Sequence, residues 1–235
     1  MRTARVIWAN DLRSVVRDRT VGGLLVVPLV FLVLLRAGVP LLERRWPAVG
    51  GHHAELLGLF CVIVGMFPAF MTALLMVDER DQGLVSAFRV LPLSPARFLG
   101  ARLAMAGLLG LLYPLLLLSA SGLGGYGAGR ALVLAALCAA GGAAALLVAV
   151  SLAKNKIECL TAFKALFVLA AIGVTGALGD FSGVNALPGV LPAYWVFGAF
   201  AAGGTGAFLS ASAVAALLYG IVVGIFHRLF RRNFF

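Results

Sequence analysis

Six stretches of this chain run for about the length of a membrane helix with almost no charge, and no soluble fold has room for them. In hydrocarbon every backbone N–H and C=O must find its partner within the protein, so such a run has to be a helix. At 1.5 Å per residue, roughly 20 residues cross a core of about 30 Å. Read this way, the spans fall near 21–42, 56–77, 101–120, 131–152, 164–179 and 205–226. Composition agrees: 62% of the residues are hydrophobic, only 12% are charged, and the mean hydropathy is +1.05. The expectation is an all-α polytopic membrane protein, residues 1–235 forming one transmembrane domain of six helices.

An even number of spans puts both ends of the chain on one side, and the basic residues say which. The segments 1–20, 78–102, 153–164 and 227–235 hold fifteen of the nineteen Lys and Arg. The connections 43–55, 121–130 and 180–204 hold three, and Arg36 lies inside the first span. Basic residues stay on the cytoplasmic side, so both termini and residues 78–102 are predicted to be cytoplasmic. The net charge of +10 therefore describes topology. It does not imply nucleic acid, which would need a clustered basic face. The first apolar run is too long for a cleavable signal and no A-x-A site follows it.

Residues 1–19 plot as an amphipathic helix. Trp8, Leu12, Val15 and Val16 share a face opposite Arg2, Asn10, Arg13, Ser14 and Arg17, which suits the headgroup layer. After the second span comes an island of charge, "DERDQGLVSAFRVLPLSPARFLGAR". Leu84, Phe88 and Leu91 follow helical spacing with Val85 beside them, so 82–91 reads as a short amphipathic helix ended by Pro92. Ser94-Pro95 then reads as an N-cap with proline at the first helical position, starting the third span. Asp78, Glu79, Arg80 and Asp81 on one side, with Arg97 and Arg102 on the other, are placed to pair into a stiff elbow.

Catalytic chemistry is hard to find. No G-x-x-x-x-G-K-[ST] occurs, so the chain carries no P-loop. "GLGGYGAGR" (122–130) lacks the lysine and the preceding strand of a phosphate cradle and reads as an outer turn. His52 and His53 beside Glu55 read as a solvated loop, because adjacent histidines do not face one ion easily. Cys61, Cys138 and Cys159 have no CxxC spacing and read as packed thiols. No catalytic residues, metal ligands or bound cofactor are expected.

The spans carry packing chemistry instead. Gly141-Gly142 smooths the fourth, and Gly220-x-x-x-Gly224 offers a close-approach groove on the sixth. Pro68 and Pro114 invite kinks in the second and third. Segment 180–204 has no Lys or Arg and is rich in aromatics and proline. It reads as an outer re-entrant or interfacial segment before the sixth helix, with Tyr194 and Trp195 at headgroup level.

The run "DERDQGL…LPLSPARFLGAR" resembles the signature after the second span of ABC-2 type permeases. "DLRSVVRDR", "LLRAGVPLLERRW", "AKNKIECLTAFKAL" and "LPAYW" follow in the order found in the fluoroquinolone-type export permease branch, so the resemblance covers almost the whole chain. One departure is Gly-Leu-Val at Gly83–Val85, where many relatives have Gly-Thr-Leu.

That resemblance implies a permease subunit of an ATP-driven exporter of hydrophobic or amphipathic drugs in the bacterial cytoplasmic membrane. Two permease subunits, identical or sister chains, would pair with two cytoplasmic ABC ATPase subunits holding ATP and Mg. Residues 1–19 would be the connecting helix and 82–91 the cytoplasmic coupling helix. ATPase coupling would then rest on Asp78, Glu79, Arg80, Asp81, Gly83, Leu84, Phe88 and Leu91. The substrate path would be bordered by the second and fifth spans at Phe67, Met71, Phe167 and Thr175. A same-fold permease for a lipid, peptide or glycan, and a non-transporting scaffold or sensor, are the alternatives.

Overall fold

Helix forms wherever the sequence stays apolar, and proline and glycine decide how each helix starts, bends and stops. The computed structural model describes residues 26–83, 95–178 and 188–233, and among them every regular element is helical. The expected connecting helix at 1–19, most of 82–91 and the first part of 180–204 lie outside the described residues.

The first apolar run gives α1 (Val27–Val33) and α2 (Val39–Arg45), joined without a break by a π-helical turn, Leu34–Gly38. Pro40 explains the turn. It has no N–H to give the carbonyl four residues back, so the local ladder must rearrange. Arg36 sits on this turn and donates to the carbonyl of Ala120 at 2.6 Å, satisfying a helix-terminal acceptor. A charge inside an apolar run thereby gains a structural task.

The remaining elements are α3 (His53–Asp81), α4 (Pro95–Ala120), α5 (Ala128–Leu152), α6 (Lys156–Ile172), α7 (Thr175–Leu178), α8 (Pro192–Ala201) and α9 (Thr205–Asn233). Short 3-10 helices occupy Pro47–His52 and Pro188–Val190. Pro68 lies inside α3, where Thr72 Oγ1 donates to its carbonyl at 2.8 Å. At the start of α6 the Asn155 side chain accepts from Glu158 N–H at 2.9 Å, and Glu158 reaches back to Lys154 N–H at 2.7 Å. This is a variant of the capping box in which Glu158 reaches the N–H one residue before the N-cap, and it starts α6 earlier than the apolar pattern suggests.

Among the described residues four helical stretches are long and apolar enough to span a membrane: Pro47–Asp81, Leu99–Ala120, Ala128–Leu152 and Thr205–Phe230. The other two expected spans correspond to α1–α2, interrupted by its π turn, and to α6, which has 17 residues.

Two of the long helices are central. The apolar windows of Pro47–Asp81 and Ala128–Leu152 are each 67% buried, against 28% for those of Leu99–Ala120 and Thr205–Phe230. Glycine lets the central pair touch. A Cβ on Gly142 of α5 would stand 2.6 Å from the carbonyl oxygen of Gly65 in α3, and one on Gly110 of α4 would stand 2.9 Å from that same oxygen. Three helices thus converge on one carbonyl, through positions where no side chain fits. Leu57, Val64 and Met76 of α3 and Leu134, Leu146 and Leu147 of α5 are fully buried along these two helices. By contrast a Cβ on Gly220 or Gly224 of α9 would meet nothing within 4 Å among the described residues, so none of these uses their groove.

Candidate functional site

The end of the bundle where α3 and α5 finish and α4 and α6 begin carries the charged residues singled out above. α3 keeps its helical turns through Asp78, Glu79, Arg80 and Asp81. It ends when Gln82 N–H bonds to Asp78 O at 3.0 Å and Gly83 N–H to Arg80 O at 2.9 Å. Gly83 takes φ of +73°, the left-handed conformation that glycine adopts freely just past a helix terminus. That is why the chain can turn out of the membrane helix here.

Three of the four charged side chains of this last turn each reach a different element. Glu79 accepts from Arg102 of α4 at 2.6 Å, the arginine side chain being only 3% exposed and the glutamate 23%. Arg80 donates to the carbonyl of Ala153, the residue that ends α5. Asp78 lies 3.7 Å from Lys156 Nζ at the start of α6, a solvated pair worth little by itself. Three contacts therefore tie the end of α3 to α4, α5 and α6. Ion pairing between the acids of this turn and Arg97 or Arg102 is expected from sequence, and the structure shows Glu79 with Arg102; the tie from Arg80 to Ala153 O is not foreseen, since a backbone acceptor leaves no trace in the sequence. Leu84, Phe88 and Leu91, and the side chain of Arg97, lie outside the described residues.

Farther along, an aromatic chain crosses from the first helix to α6. Phe31 stacks edge-on with Phe60, with ring centroids 4.9 Å apart, and approaches Phe67 at 6.5 Å. Phe67 meets Phe167 at 5.9 Å, and Phe70 meets Phe163 at 4.9 Å. The structure thus brings Phe67 and Phe167 together. Met71 is buried in the core, and Thr175 begins α7, where its hydroxyl donates to Ile172 O at 2.8 Å.

A cavity of about 250 Å³ lies on another side of α3. Met66, Gly141, Ala145, Leu166, Pro192 and Tyr219 are among its lining, which draws on α3, α5, α6, α8 and α9. Phe67 and Phe167 are direct chain neighbours of lining residues, yet they face elsewhere. Helix rotation decides this, and a single sequence does not reveal it.

At the opposite end of the bundle the contacts are structural. Tyr126 donates to Phe200 O at 2.9 Å. Burial, with Cys61 and Glu55 adding to it and Arg130 opposing, pushes the Tyr126 hydroxyl up to about 12. Arg130 lies 5.1 Å above the Phe208 ring. His53 pairs with Glu43 and His52 with Glu55, each histidine on its own partner. Among the described residues no three His, Cys, Asp or Glu side chains converge as a metal site would require.

Comparison with known proteins agrees with the resemblance read from the island and its flanking motifs. Residues 11–227 match the family described as "Fluoroquinolones export permease protein Rv2686c-like". Two similar proteins, the fluoroquinolones export permease proteins Rv2686c and MT2760 of two Mycobacterium tuberculosis strains, are each 30% identical over 200 residues, covering 81% of this chain and 79% of theirs. The chain belongs to the Rv2686c-like fluoroquinolone export permease family, an ABC-2 type of membrane permease.

Proposed function

We propose that this chain is the membrane-spanning subunit of an ATP-driven exporter that moves hydrophobic or amphipathic drugs out of the cell. Six spans cross the bacterial cytoplasmic membrane, with α1–α2 and α6 as the first and fifth and both termini cytoplasmic. Two permease subunits pair, and two separate ABC ATPase subunits supply ATP and Mg. The family assignment supports export, and the fifteen-to-three distribution of basic residues supports the orientation.

The observation that carries the reading is the knot at the end of α3. A segment that receives force needs a rigid attachment to the helices it moves. Glu79–Arg102 and Arg80–Ala153 supply one, immediately before the residues proposed as the coupling helix, 82–91. On this account Gly83 lets the chain leave α3, and Leu84, Phe88 and Leu91 seat in a groove of the ATPase. Movement passes through Asp78–Asp81 into α3 and α4 together, and the Phe67–Phe167 border shifts with it, opening a path between subunits.

Phe88 provides the test. Buried aromatic anchors at interface centres carry about 2 kcal/mol or more, which is roughly thirtyfold in affinity. Phe88→Asn should leave membrane abundance intact while lowering recovery of the ATPase in a pull-down at matched expression, and should abolish export. Arg89→Ala, on the other face, should do much less. Equal recovery with Phe88→Asn and unimpaired export would refute the coupling role.

A further inference from the structure

Arg36 carries a charge where the sequence is otherwise oil. It lies in the first apolar run, on the π turn Leu34–Gly38, and it is exposed. Leu29 and Val33, two turns and one turn before it, are each more than half exposed, so this side of the helix faces hydrocarbon. An ionisable group there is costly and needs a partner. The 2.6 Å bond to Ala120 O is a small part of one. A neutral carbonyl satisfies one of the five guanidinium N–H groups and cancels none of the charge.

No described residue supplies the counter-charge. Glu43 and Glu55, the described carboxylates at this end of the bundle, are paired with His53 and His52. Asp78, Glu79, Asp81 and Glu158 lie at the other end. Arg44, Arg45 and Trp46 follow at the end of the same helix and are exposed, the basic and aromatic pattern of a membrane–water boundary. Arg36 stands nine residues before Arg45, about 13 Å deeper. Ala120 is the last residue of α4, so the guanidinium reaches toward that boundary, as a long basic side chain does when it escapes hydrocarbon.

The anion that such a boundary holds in quantity is phosphate. We infer that Arg36 is a binding site for the phosphate of a phospholipid, taken from the leaflet at this end of the bundle and drawn inward beside the end of α4. Arginine suits the task, because its planar fork meets phosphate oxygens in pairs and keeps its charge. The acyl chains then descend along Leu29 and Val33. This lipid is held and is not cargo, so the inference does not depend on the export reading.

The test uses the full-length chain in detergent, titrated with phosphatidylglycerol, with native mass spectrometry giving the Kd of the tightest lipid. Arg36→Gln can still donate to Ala120 O but has no charge, and it should weaken that lipid ~10-fold, the effect of losing charge-assisted hydrogen bonds. Arg36→Lys keeps the charge and should retain most of the affinity. Arg45→Gln, at an exposed arginine of the same helix, should do far less. Diacylglycerol has the chains without the phosphate and should bind wild type and Arg36→Gln equally. Excess inorganic phosphate should not displace the lipid. Equal phosphatidylglycerol affinity in wild type and Arg36→Gln overturns the inference, even where Tm falls, because the bond to Ala120 would then be the arginine's whole task. Displacement by inorganic phosphate overturns the lipid as ligand. One measurement needs no variant: a phospholipid with a photoreactive headgroup should label Leu34–Gly38 and the end of α4 in the wild-type chain, and labelling found only elsewhere overturns the site.

Discussion

Replacing Arg102 by methionine keeps most of the apolar stem of the side chain and removes the guanidinium that faces Glu79. The carboxylate would then remain at the buried end of α3 without its 2.6 Å partner. Breaking a fully buried ion pair from one side costs about 3–5 kcal/mol. Glu79 is 23% exposed, so water recovers part of that loss, and ~2–3 kcal/mol is the better expectation. For a chain of this size each kcal/mol moves Tm by ~2–4 °C, which puts Arg102→Met roughly 4–12 °C below wild type. Thermal unfolding of the purified protein in detergent measures the shift. Glu79→Gln alone should also destabilise, because it removes the carboxylate charge that Arg102 meets at 2.6 Å. The double variant should recover much of the combined loss, since neither charge is then left alone. An Arg102→Met Tm within ~1 °C of wild type, or strictly additive losses in the cycle, would refute the claim that this pair fastens α3 to α4.

Two further outcomes follow from particular contacts. Gly142→Val would push side-chain atoms into the Gly65 carbonyl, where even a Cβ stands at 2.6 Å, so α3 and α5 must separate. Folded yield on size-exclusion chromatography should fall sharply, whereas Gly220→Val, with nothing within 4 Å, should leave the monomer's yield unchanged. Tyr126 keeps its proton to about 12 in the folded chain against 10.0 ordinarily, so the unfolded chain loses the proton first as pH rises. Stability should therefore be level below about pH 10 and decline between there and pH 12. Tyr126→Phe should flatten that decline while costing about 1 kcal/mol at neutral pH through the lost bond to Phe200; an unaltered alkaline limb would contradict the assignment.

Much of the architecture is legible in the residues themselves. The start of α4 at Pro95 follows from Ser94-Pro95, and the runs at 56–77, 131–152 and 205–226 lie within α3, within three residues of α5 at its N-terminal end, and within α9. The sequence misleads where charge and helix do not end together. α3 continues to Asp81 because a helix emerging from apolar surroundings can keep its backbone bonds while its side chains turn polar. α6 begins at Lys156, well before the expected 164, because Asn155 and Glu158 cap it, although the spacing N-x-x-E was there to be read. The π turn at Leu34–Gly38 and the bond from Arg36 to Ala120 depend on which face each helix presents. So does the site. Glu79 and Arg102 announce each other by charge, but Arg80 meets a backbone carbonyl and Tyr219 meets a cavity, and neither partner has a sequence signature.

The central claim is that this chain moves drug only when an ATPase drives it. The direct measurement is fluoroquinolone flux in proteoliposomes containing the chain alone, the ATPase alone, or both, with and without ATP and Mg. Flux should appear only with both proteins and ATP, and the chain alone should show no hydrolysis. ATP turnover or concentrative flux by the isolated chain, or an assembled complex that hydrolyses ATP yet moves no drug, would contradict the account.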